Sequence, residues 1–311
     1  MVARTRAWGL ALAAGTAMVS GVAVFLNADA VRVFGNATVY TTAKNLVAAL
    51  LLGTLAAVAG ARGSRARLVR PRGRSQWVGL VAVAVVGGSL PFVLFFEGLA
   101  RATSVHAAFL QKTLVVWVAL LAVPLLSERL GWPHVAAVGL LVWGQAVLGG
   151  GVGGLRPGGG EAMILGATLL WAVEVIVAKR LLVGLSPLTV GLARMGLGVL
   201  VLVGWLAVVG HGGDLAGLTP GQWGWALLTG TILAVYVAGW YAALARAQAV
   251  DVTAVLVLGA VVTALLDATV KGRELASSGL SLALVLAGVL LALVAARVAR
   301  EPPLAGGTQR D

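Results

Sequence analysis

The sequence predicts an all-α membrane protein: ten transmembrane helices arranged as two inverted five-helix repeats. Three observations carry that expectation. The chain has 311 residues, 60% of them hydrophobic and only 11% charged, with a mean hydropathy of +0.99; soluble domains carry about 25% charged residues. Apolar runs of roughly 20 residues, the length that crosses a bilayer core about 30 Å thick, recur along the whole chain. The tetrapeptide Leu-Ala-Arg-Ala occurs at Leu99–Ala102 and again at Leu244–Ala247, each time between two such runs.

The spans of the first half are Trp8–Asn27, Asn36–Ala59, Trp77–Phe96, Ser104–Leu126 and Trp132–Gly150. The first follows Arg4 and Arg6 and precedes Ala28-Asp29-Ala30, the outline of a secretory leader with a small-residue cleavage site. Its apolar run exceeds the roughly 7–15 residues of a leader core, which favours a retained helix. The spans of the second half are Ala162–Leu182, Leu188–Val209, Gln222–Ala245, Asp251–Val270 and Ser277–Val298. Between the halves lies GGGVGGLRPGGGE, from Gly149 to Glu161. It holds no G-x-x-x-x-G-K-[ST] and has no strand before it, so it reads as a linker and not as a phosphate loop. The chain thus divides into a repeat over 1–150, a linker over 151–161, a second repeat over 162–300 and a polar tail over 301–311, expected to be disordered.

Charge sets the orientation. The chain carries 23 Lys and Arg against 11 Asp and Glu, a formal net charge of +12. In a soluble protein that excess would suggest nucleic acid. Here most of it lies in short connections, on the side that shares the N-terminus, with the run Arg62 to Arg74 contributing most. That bias predicts a multi-pass protein of the cell membrane with both termini cytoplasmic, its basic run resting on the lipid bilayer, and no nucleic-acid partner. Cysteine is absent, and the histidines (His106, His134, His211) lie far apart, so neither a metal site nor a cofactor motif is written here. No cluster of acids, histidines or nucleophiles marks an enzyme.

The repeated motif supplies the architecture. Arg101 follows the third span and Arg246 the eighth, and Gly15 to Thr38 aligns with Gly166 to Thr189. Five is odd, so the second unit enters the membrane from the opposite side. Inverted repeats of this kind are a hallmark of secondary transporters, with a site near the midplane between the halves. Alternatives are a channel, which would need rings of like groups, or an enzyme acting on lipid-soluble substrates.

Two stretches carry a family resemblance. LWAVEVIVAKRLL followed by LSPLTVGLAR, within Leu170–Arg194, and LARATSVHAAFLQKTLVVWVALLAVPLLSERL, Leu99–Leu130, resemble the EamA-like ten-helix branch of the drug/metabolite transporter superfamily. The resemblance covers nearly the entire chain. It implies alternating access and export or exchange of small polar metabolites, such as amino acids or organic anions. The expected partners are therefore a small-molecule substrate and the bilayer, with a homodimer as the assembly to test. The family's proline within the fourth and ninth helices is missing at Thr113–Val115 and Gly259–Val261, while Pro124 sits nearer the cytoplasmic end. Lys271-Gly272-Arg273-Glu274 also stands about one residue out of register with Ser127-Glu128-Arg129.

An ionisable side chain inside a span costs at least about 2.5–3.5 kcal/mol on insertion scales, so each is a functional candidate. Tyr40, Thr41, Lys44 and Asn45 fall on one side of the second helix, with Lys44 roughly 12 Å deep. Gln111 and Lys112 sit about as deep in the fourth span, so the two lysines could converge on one cavity. Glu174 lies roughly 18 Å into the sixth span, with Thr168 and Trp171 at three-residue intervals before it. It is expected to carry a proton or to act as fixed counter-ion to a lysine or to Arg194. Tyr236 and Trp240 form an i, i+4 aromatic pair able to line a cavity or clamp a cation. The expected substrate site is therefore Tyr40, Lys44, Asn45, Gln111, Lys112, Trp171, Arg194, Tyr236 and Trp240, with Glu174 for proton coupling. The blander readings are snorkelling for the lysines and Arg194 and a structural ion pair for Glu174. Glu97, Asp267 and His106 read as interfacial.

Overall fold

The computed structural model describes residues 2–63, 68–99, 101–102, 110–148, 158–272 and 279–298, and these are all-helical apart from short turns. The first half contains α1 (Val2–Phe34), α2 (Ala37–Ala61), α3 (Arg74–Gly88), α4 (Leu90–Leu99), α5 (Leu114–Leu126) and α6 (Trp132–Leu148). The second contains α7 (Gly159–Leu181), α8 (Pro187–Val208), α9 (Pro220–Leu244), α10 (Ala249–Leu256), α11 (Leu258–Lys271) and α12 (Gly279–Val298). Eight helices are long and apolar enough to cross a membrane, with α3 and α4 counting as one and α10 and α11 as another. Two shorter apolar helices span Leu110–Leu126 and Trp132–Gly144. The expected linker, His106 and the C-terminal tail lie outside the described residues, except that α7 begins at Gly159.

Local signals set where the second helix of each half begins. Asn36 caps α2, its side chain accepting from the backbone N–H of Thr38 and Val39 at 3.0 and 3.1 Å. Ser186 caps α8 in the same way through Thr189 N–H, with Pro187 at the first turn. Each cap satisfies amide groups that the helix itself leaves without a partner. The repeated Leu-Ala-Arg-Ala is repeated in geometry as well. Arg101 Nη1 donates to the carbonyl of Glu97 at 2.7 Å and Arg246 Nη1 to that of Ala242 at 2.6 Å, four residues back in both cases.

Three spans are interrupted. α3 and α4 part at Ser89, where Pro91 follows two residues on. Proline has no N–H for the carbonyl of Gly87 four residues earlier and crowds it sterically, so the helix breaks there. The fourth span breaks at Thr113, the ninth at Val257, and neither break contains a proline. At Thr113 the turn closes through i to i−3 bonds, with the Thr113 hydroxyl donating to the Leu110 carbonyl at 2.6 Å. In the ninth span the Thr253 hydroxyl donates to the carbonyls of Ala249 and Val250. Competition from such hydroxyls for helical carbonyls bends helices. The missing prolines therefore do not imply straight helices.

Most of the extensive packing runs between the halves. α1 lies on α9 and α11, α2 on α8 and α9, α3 on α8, α4 on α7, and α6 on α12. Outward-facing Leu50, Leu120, Trp143, Leu200 and Leu290 leave a wide apolar surface. Polar side chains collect instead along the seam between the halves.

Candidate functional site

The break in the third span is the scaffold of a cavity. Because Pro91 frees the Gly87 carbonyl, that oxygen accepts from Trp171 Nε1 at 3.3 Å and from Arg194 Nη2 at 3.1 Å. The neighbouring Gly88 carbonyl accepts from Asn45 Nδ2 at 3.4 Å. Side chains from α2, α7 and α8 are thus tied to one buried stretch of backbone. The glycines make the approach feasible: a Cβ on Gly87 would meet Glu174 Cγ at 2.3 Å, and one on Gly88 would meet the Arg194 carbonyl oxygen at 2.1 Å.

Around this scaffold lies a cavity of about 490 Å³. Lys44, Gln111, Lys112, Trp171, Glu174, Arg194, Tyr236 and Trp240 all line it, so eight of the ten expected site residues share one space. The other two stand behind its wall. Tyr40 places its ring 4.7 Å from Lys44 Nζ and turns its hydroxyl to Asn27 Oδ1, while Asn45 is spent on the Gly88 carbonyl. The cavity continues past Asn27 and Val31 to the exposed Arg32, so it opens at the C-terminal end of α1.

Lys44 sits in an aromatic box. Its ammonium lies 4.7 Å from the ring centre of Tyr40, 5.3 Å from Phe96 and 5.8 Å from Phe92. Arg194 stacks on that same Phe92 ring at 5.9 Å. Lys44 and Arg194 hold equivalent positions, each eight residues beyond the cap of the second helix in its half, Asn36 and Ser186. Both side chains are buried, so neither snorkels. Arg194 Nε and Nη1 have no hydrogen-bond partner.

Glu174 forms the floor. It lies fifteen residues into α7, roughly 22 Å at 1.5 Å per residue, deeper than the sequence reading placed it because α7 begins earlier. The Tyr241 hydroxyl donates to its Oε1 at 2.6 Å. No lysine or arginine among the described residues comes within 4.0 Å of its carboxylate, so the expected ion pair with Arg194 or a lysine does not form. Tyr236 and Trp240 stack face to face, with centroids 6.2 Å apart and ring planes 8° apart. Glu97 pairs with Arg101 at the surface, at 2.6 Å.

Sequence reasoning overlooked Tyr241, Phe92, Phe96 and the Gly87-Gly88 pair. Pro91 inside a span was the signal that could have located the pair. It also overlooked the symmetry of Lys44 and Arg194, visible once both helices are counted from their caps.

Comparisons with known proteins agree with this architecture. No curated protein matches the sequence. One solved crystal structure of another protein superposes with a TM-score of 0.72 at 18% identity, covering 92% of this chain and 97% of that one, which is a likeness of fold. The family model described as the EamA-like transporter family matches twice, over residues 7–150 and 158–294. With both halves matched by one model, this multi-pass membrane protein belongs to the EamA-like transporter family.

Proposed function

We propose that the protein is a secondary active transporter that exports or exchanges small polar metabolites bearing an anionic group, such as amino acids or organic anions. The observation that carries this reading is the cavity at the seam of the two halves, where Lys44, Lys112 and Arg194 face a space whose only acid among the described residues is Glu174. Buried cations without counter-ions are costly, and an incoming anion relieves that cost.

In this reading the eight long helices and two shorter ones are ten spans in two inverted repeats. The caps Asn36 and Ser186 then lie at opposite membrane faces. Lys44 and Arg194 each reach about 12 Å inward from their own face and meet across Phe92, as an inverted pair should. Both termini face the cytoplasm, so the cavity opens outward. Lys44 and Lys112 neutralise the anion, Tyr236 and Trp240 pack on its apolar part, and Glu174 carries the coupled proton, its Tyr241 bond marking where that proton is exchanged. Alternating access follows from moving one half against the other around this space.

The test is uptake into proteoliposomes holding the wild type, Lys44→Ala or Lys112→Ala. The variants should lose most transport of any anionic substrate the wild type moves. Normal rates in both would refute the assignment.

A further inference from the structure

We propose that the substrate is an organic dianion such as a dicarboxylate. This rests on the transporter reading and names the substrate class. The buried cations Lys44 and Arg194, the half-buried Lys112 and one carboxylate line the cavity, which leaves two positive charges unmatched when Glu174 is ionised. Glu174 is committed to Tyr241. Lys44 meets only ring faces, and neither lysine has a hydrogen-bond acceptor or acidic partner among the described residues. Aromatic faces hold an ammonium but do not cancel its charge. A zwitterion would leave both charges uncompensated when the site closes, whereas a dianion cancels them. Geometry lets one ligand reach both cations. Lys44 and Arg194 flank one Phe92 ring at 5.8 and 5.9 Å, so they stand no farther apart than the sum of these distances. Arg194 Nε and Nη1 are the unused donors for one carboxylate, and Lys44 with Lys112 serves the other.

Radiolabelled succinate, lactate and alanine would be offered to proteoliposomes at equal concentration, alongside unfolding temperatures of the detergent-solubilised protein with each solute. Succinate should enter at least about tenfold faster than either competitor and should alone raise the unfolding temperature. Lys44→Met should reduce the succinate-to-lactate ratio about tenfold; Lys112→Met gives the same readout if that variant fails to fold. Faster transport of alanine or lactate, or an unchanged ratio in a folded variant, overturns the dianion while leaving the transporter. Stabilisation by succinate with no uptake of any solute keeps the dianion and overturns the transporter. Absence of both stabilisation and uptake with succinate overturns the dianion.

A second inference stands on residues the cavity does not use. At the opposite end from the mouth, charged groups from both halves close around the start of α10. Arg6 Nη2 meets Asp251 Oδ2 at 2.7 Å, and His134 Nε2 lies 3.3 Å from Asp251 Oδ1. The Gly131 N–H donates to His134 Nδ1 at 3.3 Å, which leaves Nε2 as the protonated nitrogen, near Asp251 but not hydrogen-bonded to it. Glu128 accepts the N–H groups of Ala249 and Val250 at 2.6 and 3.2 Å, capping α10 from the other half. Asp251, Glu128 and His134 are all at most 8% exposed. The contacts of Arg6, His134 and Glu128 with α10 cross the seam, and Thr253 of the cavity wall lies two residues beyond Asp251. The geometry points to an inner gate: these contacts hold the cavity shut toward the α1 N-terminal side, and inward opening breaks them.

The chain has no cysteine, so Thr253→Cys gives a single reporter for membrane-impermeant thiol labelling. Adding Asp251→Asn or Arg6→Ala should raise labelling from the N-terminal side about tenfold relative to the mouth side. The exchanged pair Arg6→Asp with Asp251→Arg should restore much of the original ratio, which a general loss of folding would not. An unchanged ratio in folded variants overturns the gate. If Thr253→Cys does not fold, Leu256→Cys, also on the cavity wall, reads the same ratio.

Discussion

Among the described residues, buried charge occurs in two places, and the two are built on opposite rules. Around the start of α10 the carboxylates have partners: Asp251 pairs with Arg6, and Glu128 accepts from two helix amides, although His134 Nε2 and Asp251 Oδ1, 3.3 Å apart, make no hydrogen bond. In the cavity Lys44 has ring faces instead of an acid, and Arg194 keeps two nitrogens unbonded. A matched cluster holds elements together, because removing one member strands the others. An unmatched cluster weakens the empty protein and is satisfied by something that enters. Pairing with an opposite charge, more than burial, separates the joint from the site.

The most severe way to break this arrangement is to push its backbone apart. Gly88→Ala places a methyl 2.1 Å from the Arg194 carbonyl oxygen, which belongs to backbone and cannot swing aside. We expect no folded protein on size-exclusion chromatography. Gly196→Ala, in the same α8 but facing open space, should behave as wild type or slightly better, since alanine favours helix.

Neutralising one charge in each cluster should then change stability with opposite signs. Asp251→Asn leaves Arg6 without its acid and should cost about 3 kcal/mol. Lys44→Met keeps the stem's shape within the aromatic box and removes an uncompensated cation. It should leave stability unchanged or raise it by about 1 kcal/mol while succinate transport falls by at least about tenfold. Thermal unfolding in detergent reads both. Destabilisation by both variants alike would erase the distinction between joint and site.

Much of this was legible in the sequence, and what was not has physical reasons. Charged residues deep in apolar runs are rare enough that Lys44, Lys112, Glu174 and Arg194 could be picked out singly. That one cavity gathers them depends on helix crossings at particular glycines, and pair packing leaves no periodic trace. The aromatic box was hidden because Phe92 and Phe96 look like any other lipid-facing residues in an apolar helix. The inner cluster was hidden for another reason. Arg6 and Glu128 lie at span ends, where charge is ordinary, and only the fold shows Glu128 buried and Arg6 half-buried beside Asp251.

Glu128 offers a pH test of the same comparison. It lies just past α5, and burial pushes its carboxyl above the ordinary value of 4.5, against the lowering influence of the Ala249 and Val250 amides and Lys179. When the gate opens, water restores the ordinary value. The closed state therefore binds the proton more tightly, and acidification favours it in the window between the raised value and about 4.5. Lys179 and Asp251 face Glu128, with Arg6 and His134 beyond Asp251, so the dependence is assigned by substitution. The inner-to-mouth labelling ratio of Thr253→Cys should fall as pH drops. Glu128→Gln, uncharged but still able to accept, should flatten that response; Glu128→Ala should raise the ratio at every pH.

The smallest effect is expected at the mouth, where α1 is tied to the ninth span a second time. Lys271 meets Asp29 at 3.0 Å and lies over the Phe25 ring at 4.5 Å, so both ends of α1 hold ion pairs to the α10–α11 segment. The two joints differ in exposure: the side chains of Lys271 and Asp29 are 27% and 35% exposed, those of Arg6 and Asp251 14% and 1%. Water and salt screen the outer pair, and such pairs are worth about 0–1 kcal/mol. Lys271→Ala should therefore lower the unfolding temperature little, with the difference vanishing at high salt, whereas the Asp251→Asn loss should persist there. A salt-resistant loss at Lys271 would mean that the mouth is a joint of the same kind as the gate, and α1 would then be clamped at both ends instead of free to pivot about Asp251.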